Sequence, residues 1–206
     1  MECGFVRIAH LSDLHLSIYE GDFNPLDAVK ADLVNHKPHL IIVTGDIADN
    51  LGKLDLKNSL TKAKSYLELL CKDCGLDLKQ HLFVVPGNHD YRFKGILGFW
   101  KRYPDIFKEI FVDYNKTRFI SDLNLFIGCF DSNTTNQKIN LANGQVLRDE
   151  FINFNNSITE CKDKFGLQFE GATRVALLHH HPMPIHRSEF PEGNYDIEKF
   201  LVFQPS

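Results

Sequence analysis

The stretch VVPGNHDY, residues 84–91, decides how this chain is read. Two valines run into a proline and a glycine, and then Asn88, His89, Asp90 and Tyr91 stand in a row. A buried strand that stops at Pro-Gly delivers a carboxamide, an imidazole and a carboxylate to one point. Outward from there the same arrangement recurs. The run HLIIV, 39–43, is continuously apolar and of strand length, suited to a sheet covered on both faces, and TGD follows it with Asp46. The short strand FVRIA, 5–9, leads into HLSDLHLS with Asp13 and His15. The strand RVALL, 174–178, ends in His179, His180 and His181 before Pro182.

Helices separate the first three strands. One is expected over 25–36, opened by Pro25. Another is expected over about 54–74, where Leu56, Leu60, Ala63, Leu67 and Leu70 step by four and three. The resulting β-α-β-α-β order is that of a parallel sheet. Beyond it, FKGILGFWKRYPDIFKEIF (93–111) is read as helical with a break near Pro104. Residues 118–130 are read as two strands with a turn at Ser121–Asp122. A third helix is expected over about 145–165, with Leu147, Phe151, Phe154, Ile158, Cys161 and Phe165 on its apolar face. The tail YDIEKFLVFQPS holds a last apolar run.

A chain of 206 residues suffices for one good core, so residues 1–206 are read as a single domain. A net charge of −4 does not suit a nucleic-acid binder. The start MECGFVRIAHLSDLH has no secretory pattern, and no apolar run reaches membrane-spanning length. Five scattered cysteines, Cys3, Cys71, Cys74, Cys129 and Cys161, suit reduced thiols, and a cytoplasmic location is expected. Cys71 and Cys74 form a C-x-x-C, but no second pair completes a zinc site, so they are read as ordinary thiols near a helix end.

Ligands of an open parallel sheet bind outside the carboxyl ends of its strands, so four loops distant in sequence should converge. They bring carboxylates, imidazoles and one carboxamide oxygen, and no thiolate, a donor set for Mn²⁺, Fe or Zn²⁺. Two packed carboxylates repel without a cation between them. A two-metal centre relieves this, and ions about 3.5–4 Å apart activate a water and stabilise both oxygens of a phosphoryl transfer. Singly, each residue has an ordinary reading: Asp13 as a helix N-cap, His15 as a loop histidine, Asp46 and Asn88 as turn residues. Their joint occurrence overturns those readings. His10, Asp49 and Asn50 are left as structural.

The four motifs, D-x-H at 13–15, G-D at 45–46, G-N-H-D at 87–90 and H-x-P at 180–182, occur in order, each after an apolar strand. In this the chain resembles the calcineurin-like metallophosphoesterase superfamily, from residue 6 to about 184. The resemblance implies an α/β fold, a β-sandwich flanked by helices in four α/β/β/α layers. It implies two divalent ions, with Asp13 and His15 on the first, Asp46 bridging, and Asn88 and His180 on the second. His89 would stand beside the leaving group as general acid or charge stabiliser, with Asp90 orienting it. His180 is chosen because the family's ligand stands two before the proline. Strand alternation places His179 and His181 on the other face, but it does not say which face meets the metal. The implied reaction is hydrolysis of a phosphomonoester or phosphodiester by a metal-bridged hydroxide. HLSDLHL and HHHP look most like the cyclic-nucleotide phosphodiesterase-like branch. A small phosphoester or nucleotide is the expected substrate, and the acidic balance disfavours nucleic acid.

The chain departs from the family pattern in one respect. A G-H-x-H motif, which gives one histidine to each metal, is not found, and His186 does not fit it. The expectation is therefore a C-terminally truncated fold lacking its last strands, whose exposed apolar edge invites self-association. A second reading follows: an inactive fragment acting at most as a scaffold. Finally, YRFKGILGFWKRY (91–103) interleaves Arg92, Lys94, Lys101 and Arg102 with aromatics. It is either a wall for a phosphate and a base or, the favoured reading, an amphipathic helix with Ile96, Leu97 and Trp100 in the core.

Overall fold

The computed structural model describes residues 5–16, 24–48, 53–94, 100–133, 144–180 and 200–203. Strand β1 (Ile8–Leu11), helix α1 (Asn24–His36), β2 (Leu40–Thr44), α2 (Lys53–Asp73), a single helical turn α3 (Leu78–His81) and β3 (Leu82–Val85) make the first half. The three strands form a parallel sheet in the order β1-β2-β3, with Ile42 opposite His10 on one side and Phe83 on the other. Every residue of β2 and β3 is buried, as their unbroken apolar composition requires of strands covered on both faces.

Period-two alternation divides these strands between two cores. Ala9, Ile41, Val43, Leu82 and Val84 pack with Leu56, Leu60, Ala63, Leu67 and Leu70 of α2 and with Phe107 and Phe111. Leu40, Ile42, Phe83 and Val85 face the other way and meet Ile120, Leu125, Ile127, Val175 and Leu177 of a second sheet. On the far side of that sheet, Phe126, Phe130 and Ala176 pack with Phe154 and Phe169, and Phe151, Ile158 and Phe165 lie against this cluster.

The second sheet contains β6 (Arg118–Ile120), β7 (Leu125–Cys129), β8 (Thr173–Leu177) and β9 (Phe200–Phe203), in the order β6-β7-β8-β9. β6 and β7 are antiparallel, and β7, β8 and β9 run parallel. The last apolar run of the tail is thus a strand laid beside β8. Helices α5 (Arg148–Phe165) and α6 (Leu167–Glu170) cover the outer face.

One expectation fails. Residues 92–94 and 100–102 are strands and not helix: β4 (Arg92–Lys94) pairs antiparallel with β5 (Trp100–Arg102), and the helix α4 (Pro104–Ile110) begins at the proline. Aromatic residues favour strands, and Gly95 and Gly98 cost a helix interior about 1 kcal/mol each. Ile96 and Leu97, assigned there to a helix face, lie outside the described residues, as do Asp49, Asn50 and His181. Cys71 and Cys74 sit at the end of α2 as read: Cys71 is buried in the first core, and burial pushes its thiol up to about 12. Among the described residues no helix is long and apolar enough to cross a membrane.

Candidate metal centre

The loops after β1, β2 and β3 meet because two glycines let backbones cross. Gly45 is left-handed (φ +85°), and a Cβ there would lie 2.4 Å from the Gly87 nitrogen. A Cβ on Gly87 would fall 2.1 Å from both the nitrogen and Oδ1 of Asp46. The glycines of G-D and G-N-H-D are therefore what brings Asp46 against the third loop. The first loop runs along the second: the N–H groups of Asp13, His15 and Leu16 donate to the carbonyls of Gly45, Asp46 and Ile47 at 3.1, 2.9 and 2.7 Å.

Asp13, His15 and Asp46 all have positive φ, at 53°, 44° and 50°. Such conformations cost non-glycine residues on the order of 1–3 kcal/mol each and persist where surrounding structure enforces them, as at functional sites. One potential ligand atom from each of the three lies within 4.8 Å of the others. That is a cradle for one cation, two carboxylates and an imidazole, with Asp13 and His15 exposed and Asp46 buried.

Asp46 is held from two more sides. Its Oδ1 accepts the His89 N–H at 2.9 Å, and its Oδ2 lies 3.5 Å from His179 Nε2. Burial opposes its charge, but the hydrogen bond and charge of His179 and the His89 N–H hold its carboxyl below the usual range. Asp90 is fully buried. Its Oδ1 accepts from the N–H groups of Ile47 (2.8 Å) and Ala48 (2.9 Å), and its Oδ2 from that of Gly87 (2.8 Å). It therefore staples the β2 loop to the β3 loop. Burial, followed by the negative charge of Asp46, pushes its pKa up to about 7. A divalent cation beside Asp46 would offset that repulsion, so the donor set fits metal.

Asn88 and His89 open the 3₁₀ turn His89–Tyr91, both half-buried, and the His89 and His15 rings stand perpendicular at 5.0 Å between centroids. The histidines after β8 separate in role. His179 is buried with Nδ1 2.8 Å from the Thr44 carbonyl, so it donates from Nδ1 and turns Nε2 toward Asp46. His180, the residue singled out by H-x-P, has Nδ1 2.8 Å from Ser132 Oγ, and its buried Nε2 has no hydrogen-bond partner among the described residues. Burial, then the neighbouring His179 charge, lowers its pKa to about 4, so it is neutral near pH 7.

Sequence reasoning passed over a fifth polar loop. Asp131, Ser132 and Asn133 follow the apolar strand β7 just as the four motifs follow theirs. Tyr91 donates its hydroxyl to Asp131 Oδ2 at 2.7 Å, and Asn133 Nδ2 donates to the Pro86 carbonyl at 3.1 Å. Arg92 is buried, and its charge acts on His180.

Crossing loops that converge oxygen and nitrogen donors on a strained, partly open cradle define a site for borderline-hard divalent cations. The family model for calcineurin-like phosphoesterases matches residues 6–204, and the chain belongs to that family of metal-dependent phosphoric ester hydrolases. A search of curated proteins finds no match. Among solved structures it is similar to a dimetal phosphatase from Danio rerio, with 12% identity and a TM-score of 0.46 over 88% of this chain and 70% of that one.

Proposed function

We propose that the chain hydrolyses a small phosphomonoester or phosphodiester at a two-metal centre. Asp13, His15 and Asp46 would hold the first ion, and Asp46, Asn88 and His179 the second. The observation that carries this reading is the position of Asp46, within 4.8 Å of Asp13 and His15 ligand atoms while its Oδ2 faces His179 Nε2 at 3.5 Å. A carboxylate so placed can bridge. We assign His179 to this set in place of the His180 that the H-x-P spacing selects, on the ground that its Nε2 lies 3.5 Å from Asp46 Oδ2.

The ions supply Lewis acidity for activating water and neutralising phosphoryl oxygens. The chain's own groups do the rest. Asp46 sets the spacing of the two ligand sets. His89, at the mouth beside His15, donates a proton or a hydrogen bond to the departing oxygen. Asp90 acts on it as a positioning residue, by fixing the loops that carry His89 and Asp46. Arg92 contributes positive charge for the substrate phosphate. The span of the family match, 6–204, favours this reading over that of an inactive scaffold.

The test is hydrolysis of bis(p-nitrophenyl) phosphate and p-nitrophenyl phosphate with added Mn²⁺, beside Asp46→Ala. Metal-dependent turnover lost in the variant is expected. Turnover that is unchanged in the variant, or absent from a folded wild-type protein, would contradict the proposal.

A further inference from the structure

Ser132 belongs to none of the four motifs, yet it is buried against the histidine pair. Its Oγ accepts the backbone N–H of His180 at 3.2 Å and lies 2.8 Å from Nδ1 of the same residue. It thus grips the peptide that joins His179 to His180 and the His180 ring together. Gly144 closes on the same residue from another direction. A Cβ there would lie 2.0 Å from the Cβ, 2.1 Å from the Cγ and 2.5 Å from the Nδ1 of His180, so no side chain fits. The two parts are tied to each other, because Gln145 N–H donates to the Ser132 carbonyl at 2.9 Å.

The consequence is a fixed pair of rings. The Thr44 carbonyl accepts from Nδ1 of His179, leaving Nε2 as its coordinating nitrogen, while Ser132 fixes the His180 ring and the peptide that joins it to His179. Metal-binding histidines are oriented in this way by a partner on their other ring nitrogen. We infer that Ser132 and Gly144 are positioning residues that fix the His179–His180 pair for the second ion. This rests on the two-metal reading above.

The experiment is calorimetric titration of metal-free protein with Mn²⁺, together with ¹⁵N NMR of the histidine rings before metal is added. In Ser132→Ala the second ion is expected to bind about 10- to 100-fold more weakly, with the first unchanged. Before metal is added, the His180 ring nitrogens should shift toward values averaged between tautomers. Ser132→Thr, which keeps the hydroxyl, should restore both signals. Gly144→Ala should weaken the same ion from the opposite side. The inference is overturned if Ser132→Ala binds both ions as the wild type does, or loses both equally. It is also overturned if the His180 ring signals do not change. A wild-type protein that binds no second ion would instead sink the two-metal reading, while the ring signals would still decide whether Ser132 holds His180.

Discussion

The two sides of the centre are built by different means. On the side proposed for the first ion, Asp13 and His15 are exposed, and left-handed backbone and main-chain hydrogen bonds hold them in place. On the side proposed for the second, His179, Ser132 and Asn133 are buried, and side-chain hydrogen bonds to residues far apart in the chain hold them. Asp46 faces both. The difference teaches that short contiguous motifs suffice where the backbone itself makes the geometry. Where side chains make it, the determinants scatter.

The largest effect should come from the shared residue. Asp46→Ala removes a ligand from both sites. Loss of several kcal/mol of transition-state stabilisation corresponds to a fall on the order of 1000-fold in metal-dependent kcat/KM, measured with bis(p-nitrophenyl) phosphate. The staple between the loops comes next. Asp90→Asn places amide hydrogens against donors that now face a carboxylate, and should lower stability by about 3 kcal/mol in urea unfolding. Gly87→Ala forces a Cβ onto Asp46 and should cost about 1–3 kcal/mol in the same assay. If Gly87→Ala is neutral, the crossing of the first two loops with the third does not depend on it.

The comparison is sharpened by splitting the histidines. His179→Ala should abolish binding of the second Mn²⁺ and leave the first, read by calorimetry. His180→Ala should weaken the second ion less. The reverse order would return the ligand to the residue that H-x-P selects. The smallest effect lies outside the centre: with its thiol pushed up to about 12, Cys71 should stay unmodified by thiol reagents in folded protein at pH 8.

Much of this architecture was legible. The apolar runs around 39–43, 81–85 and 174–178 became β2, β3 and β8 because continuous hydrophobicity over strand length has few other uses in a covered sheet. That Asp13, His15 and Asp46 come together was legible too, since each lies in a loop that follows a strand of one parallel sheet. The hairpin β4–β5 was not, because aromatic and basic residues spaced around two glycines suit either period. Nor was the choice among the histidines: alternation separates His179 from His180 but carries no sign saying which face meets Asp46. Asp90 was read as a partner for His89. Its observed partners at Gly87, Ile47 and Ala48 are main-chain N–H groups, which leave no mark in a sequence. Ser132 and Gly144 were missed for a related reason, since their function shows only in contact with His180.

The central claim is that Asp46 joins two ligand sets into one dinuclear centre. Titrating metal-free protein with Mn²⁺ by calorimetry, wild type beside Asp46→Ala, tests it most directly. Two bound ions in the wild type and the loss of both sites in a folded variant are the predicted result. A single ion in the wild type, or two ions retained without Asp46, would contradict it.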